Sequence, residues 1–409
     1  MRIGIDAHFV SYELRGIGKY ILQLVSRLIQ ADESADRSND PSNDRSNDQS
    51  NDHDYVIYGD PQMFPPVRGV SNGKIRFRNP AGLPYPLWEQ LVLPLWAHQD
   101  RLELLHCPAN TAPIALPRHI KLVITVHDVM YLLPSSVLSA SKVLRQTLGA
   151  FYRRMIVPRV ARRADCIIAV SEFSKQEIVQ YLGIIPDRIR VIHEGIDSHF
   201  GSLGDTIALP PKEIGGQSLE SPFVLALGAD DPRKNTMAVI RAYASRWREL
   251  PQQEKLVIVG LRDWRSSAAY GLVRQLGLDQ RVLFAGYVPE ELLAWLYSSS
   301  RCFLYPTLYE GFGFPVLEAM ACGAPVIASN CTSVCEIAGD AAILVDPSSE
   351  GAIGNALVRL LGDEPLRRQL IEQGRAQAQK FDWQDTAQKT RGVYAELRDG
   401  ANELALVPS

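Results

Sequence analysis

The sequence predicts an α/β protein built as two doubly wound domains facing each other across a cleft. Three observations carry that expectation. Short apolar runs alternate with segments of helical period along both halves, the pattern of parallel strands joined by crossover helices. A Gly- and Pro-containing stretch of weak periodicity, residues 196–221, separates the two series. The chain of 409 residues is also too long for one ordinary core.

In the first half a strand is expected over Ile3–Asp6, then a loop from His8 to Gly18. Ile17, Ile21, Leu24 and Leu28 follow at helical spacing. Residues 37–52 read RSND PSND RSND QSND, four tandem units without one apolar side chain. Such a segment cannot offset the entropy of ordering, so a disordered insertion is expected over about residues 36–53. Strands are expected next at Tyr55–Tyr58, Lys121–Val126, Cys166–Val170 and Arg188–Ile192. Ser174 and Glu177 read as a capping box opening a helix. The second series predicts strands at Phe223–Leu227, Leu256–Val259, Val282–Phe284, Cys302–Tyr305, Pro325–Ala328 and Ile343–Val345. A helical tail is expected over about residues 365–397. The domains are therefore expected at 1–195 and 222–385, with 386–409 crossing back to the first.

Composition excludes several classes. A net charge of −3 is wrong for general nucleic-acid binding, which needs a basic face. No run reaches the length of a membrane-spanning helix. The start MRIGIDAHFV is not expected to act as an export signal. Six cysteines lie scattered without CxxC spacing. Cys331 and Cys335 could share a helix face, but nothing completes a zinc site, so reduced thiols and a cytoplasmic location are expected.

The most informative stretch is LYEGFGFPVLEAMACGAPVIAS, which places Glu310 and Glu318 eight positions apart. It reads as a strand, a turn opened by Gly311 and Gly313, and a helix with Pro315 at its first position and Gly323 beyond its end. The helix start, Phe314 to Leu317, aims N–H groups at the strand's carboxyl end and favours a phosphate. Carboxylates beside such a site fit if they accept hydrogen bonds from sugar or ribose hydroxyls. Decoration of a helix start accounts weakly for Glu318 and hardly for Glu310.

Three further candidates fall at strand ends, where open parallel sheets bind ligands: Asp6 to Gly18, His127 and Gly228 to Lys234. Gly228 to Asn235 follows a buried strand and carries Arg233 and Lys234 at a loop–helix junction. That pair can neutralise a diphosphate, and cations there are disfavoured unless an anion is present. Arg15-Gly16-Ile17-Gly18 makes a tight turn at a helix start, and His127 ends a strand where it could meet a sugar hydroxyl.

These motifs together resemble the nucleotide-sugar-dependent, retaining glycosyltransferases of the GT-B fold, family 4. The resemblance runs through RGIGKY, VHDV, VSEFSKQEI, HEGID, DPRKN and EGFGFPVLEAMACGAPVIAS, and so covers nearly the whole chain. YPLWEQ at 85–90 is similar to bacterial polysaccharide mannosyltransferases. The resemblance implies two Rossmann-like domains, with Arg233 and Lys234 on the donor diphosphate. Glu318 would hold the ribose, and Glu310 the transferred sugar with the backbone of Gly311, Phe312, Gly313 and Phe314. Val316 and Leu317 belong to the same helix start. Gly16 and Gly18 would shape the phosphate floor, Gly228 would be among the donor-binding residues, His127 would touch the sugar, and Tyr287 and Val288 would lie near the base. One departure is HEGID, where many members carry Asn before the Gly.

The reaction implied is transfer of a hexose, mannose or glucose, from a GDP-mannose or UDP-glucose type donor to a saccharide or lipid-linked saccharide. No cofactor and no metal are expected, since two cations can stabilise the departing diphosphate. Residues 141–165 interleave Lys142 and six arginines with apolar side chains. They read either as a face for anionic membrane at the inner leaflet or as a solvated helix. A sugar-nucleotide epimerase and a non-catalytic scaffold are the alternative readings.

Overall fold

The computed structural model describes residues 1–10, 16–37, 53–64, 75–80, 82–133, 144–201, 213–214, 217–219 and 222–405. The repeat from residue 38 to 52, Arg15, Lys142 and much of the 196–221 stretch lie outside them.

The chain forms two compact units, divided after Gly195 and again between Asp382 and Trp383. The first contains a seven-stranded sheet in which every paired strand is parallel. Its spatial order is Ile75–Arg78, Asp54–Tyr58, Arg2–Asp6, Leu104–Cys107, Lys121–Val126, Cys166–Ala169 and Ile189–Val191. The second holds six parallel strands in the order Val282–Gly286, Lys255–Val259, Phe223–Leu227, Cys302–Tyr305, Val326–Ser329 and Ala342–Val345. In both sheets the order reverses beside the first strand of the unit, which places a ligand crevice at the strands' carboxyl ends.

Alternation along the strands explains why both faces are covered. In the second unit Val224, Ala226, Leu256, Ile258 and Leu304 point into one core. Leu225, Val257, Phe303 and Tyr305 point into the other.

Four strands were not expected, two of which, Glu213–Ile214 and Gln217–Ser218, form a small antiparallel pair inside the expected linker. Ile75–Arg78 is an edge strand whose two arginines leave it no apolar run. Leu104–Cys107 is central but holds no β-branched residue, and it buries His106. His106 Nδ1 lies 2.6 Å from Tyr394 Oη and Nε2 lies 2.9 Å from Thr125 Oγ1. Burial lowers its pKa to about 3, so it packs as a neutral ring.

Other expectations change in detail. The first helix runs over Ile17–Arg37, so it takes in the first two residues of the expected insertion. His53 is fully buried beside Tyr55, so it belongs to the fold and not to an insertion. Ser174 is not the cap of its helix. The element is Glu172–Leu182, capped by Ser171, whose side chain accepts from Ser174 N. Ser174 Oγ instead donates to His127 O at 2.9 Å. The expected tail is two helices that part company. Glu364–Ala378 stays in the second unit, with Gly374 close against Met320. Trp383–Ala405 joins the first, where Trp383 meets the Tyr20 ring and Tyr394 meets His106.

Candidate active site

In the second unit the carboxyl end of Cys302–Tyr305 leads through Thr307 to Glu310. Local hydrogen bonds fix this loop before any ligand arrives. Thr307 Oγ1 donates to Arg233 O at 2.8 Å, and Leu308 N donates to the same carbonyl at 2.7 Å. Ser333 Oγ donates to Glu310 O at 2.9 Å. Asn235, at φ +57°, sends its amide to Pro306 O and Pro347 O.

Lys234 and Glu310 meet on this frame. Lys234 Nζ lies 2.5 Å from Glu310 Oε1 and 2.6 Å from Tyr305 Oη, and Tyr305 donates to Glu310 Oε1 at 2.6 Å. Burial, reinforced by the Glu310 charge, holds the Tyr305 phenol well above its ordinary pKa, so it remains a donor. Arg233 is engaged by Asp231, with Nε 3.0 Å from both carboxylate oxygens. Burial pushes the Asp231 carboxyl up, but the guanidinium overrides it and holds it below its usual range. The cations thus sit at the turn before the Thr236–Arg246 helix because the protein supplies the anions itself. The sequence argument had looked for that anion only in a ligand.

The helix Phe314–Ala321 begins at Phe314, one residue earlier than expected, with Pro315 second. Gly313 has φ +120°, a region that side chains rarely enter. Phe312 is buried against Phe314 and Phe381. Val316 and Leu317 are core side chains, and Val316 N already donates to Gly313 O at 3.0 Å. The expected anion contact at Val316 is therefore spent inside the helix. Glu318 is half-buried and accepts from Tyr297 Oη at 3.3 Å.

Gly228 has a packing role. A Cβ there would meet Ile258 Cγ2 at 2.6 Å, and its N–H donates to Val259 O at 2.7 Å. Tyr287 is 53% exposed beneath the Arg262 guanidinium, while Val288 is buried.

In the first unit Gly16 is exposed at φ +41° and Gly18 is buried in the first helical turn. His127 does not present a free ring. Its Nδ1 lies 3.0 Å from Glu194 Oε1 and its Nε2 lies 3.0 Å from Pro108 O. Burial alone would lower its pKa, but the Glu194 carboxylate outweighs burial and raises it. Glu194 is the acid in HEGID, so the departure from the family pattern has a partner here.

Asp6 was expected at a strand's carboxyl end, but the second buried acid near it, Glu89, was not. Asp6 Oδ1, at the end of its strand, accepts from Trp88 Nε1 at 3.1 Å and from His8 N at 3.2 Å. Burial, then the charge of Glu89, raises its pKa to about 7. Glu89 is fully buried and accepts from Tyr85 at 2.6 Å, Thr111 at 2.5 Å and Tyr152. An acid inside the apolar run YPLWEQLVLPLW was the available signal.

The sequence and the fold have counterparts among known proteins. The sequence profile described as Glycosyltransferase Family 4 matches residues 15–200, and Glycosyl transferases group 1 matches residues 212–377. An O-antigen chain mannosyltransferase B from Escherichia coli is 29% identical over 97% of this chain and 100% of its own. A serotype-specific mannosyltransferase, WbdA, from the same organism is 32% identical over 59% of this chain, which spans 30% of that relative. Among solved structures, a sucrose-phosphate synthase from Thermosynechococcus elongatus aligns with a TM-score of 0.68 at 21% identity, covering 98% of this chain and 99% of that one. Anabaena HepE in complex with UDP and glucose aligns with a TM-score of 0.65 at 19% identity, covering 97% and 100%. The fold is that of the GT-B glycosyltransferases. The chain belongs to the group 1, family 4 glycosyltransferases.

Proposed function

We propose that this protein transfers a mannosyl residue, with retention of anomeric configuration, from GDP-mannose to a saccharide or lipid-linked saccharide in polysaccharide synthesis. The observation that carries the reading is the Lys234–Glu310–Tyr305 cluster, set before a glycine turn and helix start with Arg233 alongside. The choice of mannose rests on the mannosyltransferase relatives, one matched along its whole length.

In the ligand-free chain Lys234 is held by Glu310. When the donor binds, the diphosphate takes the ammonium as counter-charge, and Glu310 turns its oxygens to hydroxyls of the sugar. Arg233 offers a forked donor, kept in place by Asp231. Glu318 accepts from the ribose hydroxyls, and Tyr287 offers its exposed ring to the base. The acceptor oxygen bonds to the anomeric carbon as the bond to the diphosphate breaks. The acceptor proton passes to the departing phosphate oxygen on the same face. Two cations in a partly dehydrated site stabilise the leaving charge, and the reaction needs no metal.

The test is transfer from GDP-[14C]mannose to a lipid-linked saccharide, run with and without EDTA. Mannosyl product at equal rates in both arms is expected. Product from UDP-glucose and none from GDP-mannose would reverse the choice of donor, and loss of product in EDTA would reverse the metal assignment.

A further inference from the structure

The second unit opens with Asp197 and a single 3-10 turn, Ser198–Phe200. Phe200 anchors that turn. Its ring is buried in the unit's core, 6.4 Å from the ring of Tyr297 on the helix Glu290–Ser299, and its carbonyl accepts from Cys322 Sγ at 3.1 Å. The His199 imidazole packs on Phe200 with 4.1 Å between ring centres, so a fixed core side chain sets where its nitrogens point. Asp197 stands at the N-cap position, yet its carboxylate does not cap the turn. Instead, an oxygen of Asp197, an oxygen of Glu290 and a ring nitrogen of His199 all lie within 4.8 Å of one another.

His199 Nε2 and Glu290 Oε2 are 3.6 Å apart. That is too long for a hydrogen bond, which closes at about 2.7–3.2 Å. It is close to the separation of about 3.3 Å between two ligands of one tetrahedral zinc ion, whose bonds run about 2.0–2.1 Å. His199 Nε2 is also shielded from solvent and makes no hydrogen bond among the described residues. An ordinary surface ion pair would close to contact and would contribute about 1 kcal/mol or less. A neutral ring with its lone pair on that nitrogen meets the Glu290 carboxylate as like against like, unless a cation stands between them. One nitrogen with two carboxylate oxygens suits zinc, whereas calcium and magnesium prefer oxygen alone. The charge of a divalent ion matches the two carboxylates. Asp197 also borders a cavity of about 500 Å³ with Ser198 and Ser298, through which water can reach the remaining coordination position.

We propose that Asp197, His199 and Glu290 form a structural zinc site that clips the start of the second unit to its Glu290–Ser299 helix. None of the three belongs to the Lys234–Glu310–Tyr305 cluster, and the inference is independent of the transferase reading. Zinc at this site takes no part in transfer. It adds its binding free energy to the stability of the folded second unit.

The experiment uses the full chain, stripped with EDTA and exchanged into chelator-free buffer, and titrates it with zinc chloride by calorimetry. Saturable binding of one zinc per chain is expected, with no comparable heat from calcium or magnesium. His199→Ala and Glu290→Gln change half-exposed side chains and should fold. Each should weaken zinc binding by roughly 100-fold or more, beyond the loss seen when only a supporting residue is removed. Zinc at about 100 times its dissociation constant should raise the wild-type Tm by roughly 5 °C or more and leave both variants unmoved. Transfer by the stripped wild type and by both variants should be unchanged below the melting range, so failure of the zinc site and failure of the transferase reading are separable. Absence of saturable binding to the wild type overturns the proposal. So does zinc that binds both variants as tightly as wild type, which would assign it to other ligands such as Cys331 and Cys335. Transfer that depends on zinc in the wild type and is lost in His199→Ala overturns the structural role.

Discussion

Lys234 and Glu310 lie 76 positions apart in sequence and meet at 2.5 Å, with the Tyr305 hydroxyl touching both. The lysine is 29% exposed and the glutamate 17%, so the pair is shielded on the protein side and open on the other. Under the proposed function, a cation stored this way is already positioned when a diphosphate arrives, and the carboxylate gains freedom to accept from sugar hydroxyls at the same moment.

Lys234→Ala should therefore lower kcat/KM by roughly 100-fold or more, the scale of losing one preorganised charge partner. Thermal unfolding should barely move, because Glu310 keeps its bond from Tyr305. Steady-state kinetics with a melting curve on the same sample checks both halves.

Tyr305→Phe removes a buried hydroxyl that donates to Glu310 and accepts from Lys234. The expected cost is about 1–3 kcal/mol of stability, measured by urea denaturation. Activity should fall less than in Lys234→Ala, since both charges remain.

Asp6 gives a pH dependence of defined sign. Its pKa is raised from 3.8 to about 7, so the folded state keeps a proton that the unfolded state releases. Its contribution is fully present below pH 3.8 and is lost as pH rises toward 7, by up to about 1.4 kcal/mol per pH unit. Asp6→Asn keeps an oxygen for Trp88 and His8 and has nothing to ionise. It should be more stable than wild type at pH 8, with the difference shrinking toward pH 4. Denaturation curves across that range decide it.

His127 has a raised pKa, and the sign is again explicit. The Glu194 pairing stabilises the fold fully below the ordinary histidine value and is lost as pH rises through the raised one. In His127→Gln that decline should flatten. An NMR titration of the ring would find the raised value in wild type and lose it in Glu194→Gln.

Gly228→Ala should destabilise by about 1–3 kcal/mol, because the added carbon falls 2.6 Å from Ile258 Cγ2. The loss should appear in unfolding before it appears in donor affinity.

Much of the fold could be read from local pattern. Cys302–Tyr305 matched to the residue because a four-residue apolar run ends sharply at proline. Ile75–Arg78 escaped because an edge strand needs only one partner and tolerates arginines. The expected capping residue was three positions late because Ser171 stands before the helix and a second serine, Ser174, lies in its first turn. In the candidate site, spacing and dipole arguments single out Glu310, Glu318, Arg233 and Lys234, and the structure brings Lys234 and Glu310 into contact. What holds them is not singled out that way. Asp231 is a neighbour in sequence, but Glu194 reaches His127 and Glu89 reaches Thr111 only through the sheet. Such distant pairings have no local signature.

The most direct measurement is calorimetric titration of GDP-mannose into wild-type and Lys234→Met protein. Saturable binding to wild type is predicted, with affinity weaker by roughly ten-fold or more in a folded variant. Equal dissociation constants in the two proteins would contradict the assignment of Lys234 to the donor diphosphate.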